Sequence, residues 1–139
     1  MGYCEIADVT ARLPDWLTID DSSDPTTAEV EKWIAETSAK ANGALKRAGY
    51  ETVPVTGEND LLMLRGVVAD KVALQTLYVA LGADKVPDSA KETLSGFRDF
   101  IAGLSNGQAW LIDQVPASSA AGNLEVGSIT LTSAYYEDD

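Results

Sequence analysis

The sequence predicts an all-α fold, a small four-helix bundle, carrying an extended C-terminal arm that contains short β-strands or a hairpin. Three observations predict it. Apolar residues recur at spacings of three and four along four stretches, caps and breakers bound those stretches, and the last 27 residues carry no helical pattern. The division falls after Ile112, with residues 1–112 as the helical body and 113–139 as the arm.

The first helix is short, from about Glu5 to Leu13, with Ile6, Val9 and Leu13 on one stripe and Pro14 as its stop. Trp16, Leu17 and Ile19 follow in a loop, where residues this large and apolar are expected to tuck onto the core. The second helix has the clearest boundaries. Thr26 caps it, Glu29 completes a capping box, Gly49 ends it, and Lys46 and Arg47 sit where the carbonyl end of the dipole favours cations. Burying its Trp33, Ile34 and Leu45 contributes roughly 2 to 3 kcal/mol each, which makes it a core element.

Residues 50–57 read as an extended connector around Val53, Pro54 and Val55. Asn59 or Asp60 then caps a third helix that runs to about Leu81 and stops at Gly82. Its apolar residues, Leu61, Leu64, Val68, Val72, Leu74, Tyr78 and Leu81, form a face broad enough to be covered on more than one side. A fourth helix runs from about Pro87 or Asp88 to Leu104, striped by Ala90, Leu94, Phe97, Ile101 and Leu104, and Asn106 with Gly107 breaks it. Trp110, Leu111 and Ile112 are the last apolar anchor.

The arm carries five acids and no Lys or Arg. Residues 116–123 read as loop, after which Leu124 with Val126 and Ile129 with Leu131 alternate as short strands. The apolar phase slips at Gly127 and Ser128, so either a bulge or a two-residue hairpin loop sits there. Strands this short are not stable alone in water, so the arm is expected to add to another sheet or to lie in a groove, the alternative being that it folds back on its own body. Tyr135 and Tyr136 are expected as its amphipathic anchors, the alternative being a frayed end with two exposed rings.

Composition narrows the chemistry. A net charge of −12, from 22 acids against 10 bases, argues against a surface that grips nucleic acid, because that binding is driven by Lys and Arg displacing counterions. With no histidine and one cysteine, Cys4, the chain makes no Ser-His-Asp triad, no Cys-His pair and no His/Cys zinc site. A calcium loop starting at Asp20 would place Ser22, Asp24 and Glu31 at ligand positions, but Pro25 stands where the sharp turn needs glycine. No glycine-rich phosphate loop is present. The expectation is a protein that is not an enzyme and uses no metal or cofactor. Asp70, Lys71 and Gln75 interrupt the most hydrophobic stretch, so no membrane span is expected, and the single cysteine suits a reducing cytosol.

The order of these features resembles a known family. Tyr3 to Pro14, Leu17 to Asp20, Pro25 to Val30, Ala48 to Tyr50 with Val53 to Val55, and Leu61 to Arg65 together look like the head-tail adaptor, or connector, proteins of tailed bacteriophages and gene transfer agents. The helix from Lys91 to Leu104 and the close at Gly103 to Gly107 are similar too, so the resemblance covers about residues 3 to 112. It implies a structural virion protein of the neck, made in the host cytoplasm. Such a protein forms a dodecameric ring docked on the portal, lines the channel through which genomic DNA passes without specific binding, and bridges to the next neck or stopper protein. It also implies that the C-terminal arm, with Leu124, Val126, Ile129, Leu131, Tyr135 and Tyr136, engages the portal.

A ring requires two different faces of one subunit to meet. Trp16, Leu17, Trp110 and Ile112 fall outside the helical stripes and are the candidate subunit interface, with packing inside the subunit the alternative that explains them as well. A second functional class also fits an acidic chain without site chemistry, namely an inhibitor or DNA mimic that occupies a basic surface on an enzyme.

Overall fold

The computed structural model describes residues 2–116, and these are all-α, as the periodicity predicts. The helices are α1 (Ile6–Thr10), α2 (Thr27–Arg47), α3 (Glu58–Leu81), α4 (Asp88–Thr93) and α5 (Gly96–Ser105), with a 3₁₀ turn at Ala83–Lys85. The arm residues Leu124, Val126, Ile129, Leu131, Tyr135 and Tyr136 lie outside the described residues.

Helix α2 keeps the boundaries that its sequence dictates. Thr26 Oγ1 accepts the Glu29 N–H at 3.2 Å while the Glu29 carboxylate accepts the Thr26 N–H at 3.0 Å. This reciprocal cap satisfies donors that the first turn cannot satisfy internally. At the far end Gly49 takes φ 98°, a left-handed conformation that glycine adopts without steric cost. Val30, Ile34, Ala41 and Leu45 face inward, and Trp33 is partly buried against the core.

Helix α3 is the axis of the bundle. Its buried residues Leu64, Val67, Val68, Val72, Ala73 and Leu77 span more than one face, and it packs against α1, α2, α4 and α5. The wide apolar stripe is thus used on several sides. Its start differs from the sequence expectation: Gly57 is the N-cap, and neither Asn59 nor Asp60 caps it.

The expected single fourth helix is two. Leu94 and Ser95 leave helical geometry between α4 and α5, and the Ser95 hydroxyl donates to the Glu92 carbonyl at 2.8 Å. Serine competes in this way for backbone acceptors and glycine resists helix poorly, so Ser95 followed by Gly96 is a weak point. Packing sets the break there. A Cβ on Gly96 would come within 2.7 Å of Asp70 Oδ2, so α5 can approach α3 this closely only at a residue without a side chain. Asp70 in turn holds Arg12 Nε at 2.7 Å, and Arg12 also donates to the Asp8 carbonyl at 2.9 Å, which ties the end of α1 to the middle of α3.

The segment before α1 is fastened to α2. The Tyr3 N–H donates to Ser38 Oγ at 2.9 Å, and the Tyr3 hydroxyl accepts the Val55 N–H at 3.0 Å while donating to Asn42 Oδ1. Cys4 is buried beside it, and that burial, reinforced by Asp8, pushes its thiol up to about 11. At neutral pH the cysteine is a packed apolar group without a nucleophilic thiolate.

Candidate functional site

The chain leaves the helical body through a clasp built on the first turn of α3. Gly57 offers this helix no capping side chain, so the amide groups of the first turn need an acceptor from elsewhere. Asp113, 53 residues away, supplies it: its carboxylate accepts the Asp60 N–H at 3.0 Å and the Asn59 Nδ2–H at 3.1 Å. Asp60 returns the interaction. Its carboxylate, on a residue only 1% exposed, accepts the Ile112 N–H at 2.7 Å and the Asp113 N–H at 3.0 Å.

Two aspartates thus cap each other's backbones, a capping box assembled from distant parts of the sequence. Negative charge is favoured here by the amino-terminal end of the α3 dipole. A Cβ on Gly57 would collide with the Asp113 carboxylate, so the glycine is the space into which that carboxylate fits. One residue further on, the Gln114 side chain reads the Thr52 backbone in both directions. Its Nε2 donates to the Thr52 carbonyl at 2.9 Å and its Oε1 accepts the Thr52 N–H at 3.4 Å.

The amide of Asp60, with help from Asn59, holds the Asp113 carboxyl below the usual carboxylate range. A depressed folded value means that the charge stabilises the fold above the unfolded value near 3.9, and that this contribution disappears as the pH falls through the lower folded value. Asp113→Asn is therefore expected to be less stable than the parent at pH 6, with the difference shrinking below about pH 4. Urea unfolding followed by circular dichroism across pH 2.5 to 6 checks this. A gap that stayed constant down to the lowest pH would refute it.

The four apolar residues proposed from sequence as subunit contacts separate into two kinds. Leu17 and Trp110 are partly buried and pack on the core, Trp110 with its ring edge-on to Phe100 at 5.6 Å and 87°. Trp16 and Ile112 stand 64% and 76% exposed, so of the loop residues expected to tuck onto the core Leu17 and Ile19 do and Trp16 does not. No family model, curated protein or solved structure matches the chain.

Trp16 lies in a groove of about 570 Å³ with Leu13, Leu77, Leu81 and Leu94, beside the carboxyl end of α3. Ile112 is tied through its amide to Asp60 at the amino end. At 1.5 Å per residue the 17 to 21 positions from Asp60 to Leu77 and Leu81 separate the two side chains by roughly 25 to 32 Å along the axis. They belong to two different surfaces.

Among the described residues there is no grouping of three or more His, Cys, Asp or Glu side chains placed to hold a metal ion. No helix among them is long and apolar enough to cross a membrane. The clasp itself was not foreseen from sequence, where Asp60 reads as a cap for its own helix. The signal available was Gly57, a cap position without a side chain, and an aspartate directly after the last apolar anchor.

Proposed function

We propose that the protein is a head-tail adaptor of a tailed phage or gene transfer agent, a structural neck protein and not an enzyme. Copies assemble into a dodecameric ring on the portal, the ring lines the DNA channel, and it presents a platform to the next neck protein. The observation that carries this proposal is the pair of exposed apolar positions, Trp16 and Ile112, at opposite ends of the longest helix. Unlike patches on one subunit are what a head-to-tail contact needs, and such contacts form a ring when the rotation between neighbours closes. The resemblance over residues 3 to 112 supports the same reading, as does a net charge of −12 that keeps DNA from adhering to a channel wall. The residues after Pro116 supply the arm for the portal.

The test is to add the full chain to portal-bearing capsids of the cognate particle that lack this protein and to image them by electron microscopy. A ring of added density beneath the portal is expected. Trp16→Asp and Ile112→Asp, each at an exposed position that leaves the monomer folded, should each abolish the ring. A chain ending at Pro116, which keeps the clasp, should dock poorly. No density with the full chain, together with a salt-sensitive stoichiometric complex with a basic enzyme, would favour the inhibitor class instead.

A further inference from the structure

We infer that the groove between α2 and α5 is the docking site for the C-terminal segment of the same chain, residues 124–136. The groove has a volume of about 470 Å³ and is lined by Ala39, Lys40, Gly43 and Arg47 of α2 and by Phe97 and Ile101 of α5. Its floor is apolar and its two charged residues are both cations. Neither Lys40 nor Arg47 forms an ion pair among the described residues, although Glu36 lies one helical turn from Lys40. In a chain of net charge −12, two unpaired cations flanking apolar surface are matched by an acidic, apolar ligand.

The chain carries such a ligand. Beyond Pro116 it has four acids and no base, with Leu124, Val126, Ile129 and Leu131 alternating and Tyr135 and Tyr136 following. The point of departure fits as well. Pro116 lines a neighbouring pocket with Arg47, so the chain leaves the body beside a residue that also borders the groove. Tyr50, whose buried hydroxyl has no hydrogen-bond partner among the described residues, lines that same pocket. Leu124 lies eight positions after Pro116, an extended reach of about 26 to 29 Å, ample for a groove that begins at Arg47.

Gly43 is the third indication. Glycine is among the weakest helix formers, yet this one stands inside the 21-residue α2. A Cβ there would meet only Arg47 Nη1 at 3.5 Å, an ordinary contact, so packing of the described residues does not demand glycine. What its lack of a side chain does is keep the groove open. Leu124 to Leu131 would cover the partly buried Ile101, above the buried ring of Phe97, while the arm's carboxylates meet Lys40 and Arg47. The docking belongs to the free subunit, the segment leaving the groove when it engages the portal, and it stands whether or not the body assembles into a ring.

Hydrogen exchange followed by mass spectrometry on the full chain tests this, over a hundredfold range of protein concentration. Amides of residues 124–136 should exchange about tenfold or more slowly than an unstructured peptide, equally at every concentration. Gly43→Leu, which plugs the groove, and the double variant K40E/R47E, which reverses its charge, should each return them to unprotected rates. Protected amides at Leu45 and Phe100 in both variants report an intact body. Exchange at unprotected rates in the parent chain overturns the inference, as does protection that survives in either variant. Protection that grows with concentration would place a second copy's segment in the groove and overturn the intrachain assignment.

Discussion

Replacing Phe100 by alanine should destabilise the protein by about 3 to 5 kcal/mol, the range for deleting a fully buried aromatic ring whose surroundings only partly collapse. Phe100 has no solvent exposure, and its ring lies 6.0 Å from Phe97 and 5.6 Å from Trp110. The loss combines transfer free energy, a cavity at the meeting of α5 with α3, and two aromatic contacts. Trp110 reports the change directly, because its ring rests edge-on against the one removed. Urea unfolding should show a lower midpoint, and Trp emission should shift to longer wavelength before the global transition. A midpoint within 0.5 M of the parent would mean that the α5 to α3 junction is not the mechanical centre of the bundle.

The second large effect is expected at the clasp. Asp60→Ala should cost about 2 to 4 kcal/mol, because two backbone N–H groups, those of Ile112 and Asp113, lose a buried charged acceptor together. Asp60→Asn should be nearly as damaging. Its amide keeps one acceptor oxygen but turns a donor toward an N–H where a second acceptor is required. The readout has two levels, the denaturant midpoint for the whole body and amide exchange at Ile112 and Asp113 for the clasp alone. Unchanged exchange at both amides would contradict the arrangement.

Most of the body was legible in sequence because its signals are local. The Thr26 to Glu29 box, the stop at Gly49 and the apolar stripes are each set by residues within one or two turns. The division of the fourth helix was less legible. Ser95 and Gly96 are an obvious weak point, but the stripe from Ala90 to Leu104 runs through them in phase, and only the approach to Asp70 decides that the helix breaks. The clasp was not legible at all. Nothing near Asp60 announces that its acceptors serve amides 52 and 53 residues away, and nothing near Gly57 announces that the missing cap arrives as Asp113. The subunit candidates show the same limit: Trp16 and Trp110 are equally apolar, and only the presence of Phe100 beneath one of them separates core from surface.

The clasp also determines where a pull on the tail would be felt. Among the described residues, Ile112 to Gln114 make the final hydrogen bonds to the body, and these go to the opening turn of α3 and to Thr52, and not to α5, which precedes them in sequence. Tension applied beyond Pro116 therefore bypasses the shortest route back along the chain. It loads a parallel set of short hydrogen bonds that must yield together, and it passes the force into the longest and most deeply packed helix, so that the shorter helices and the Trp110 contact are sheltered from strain.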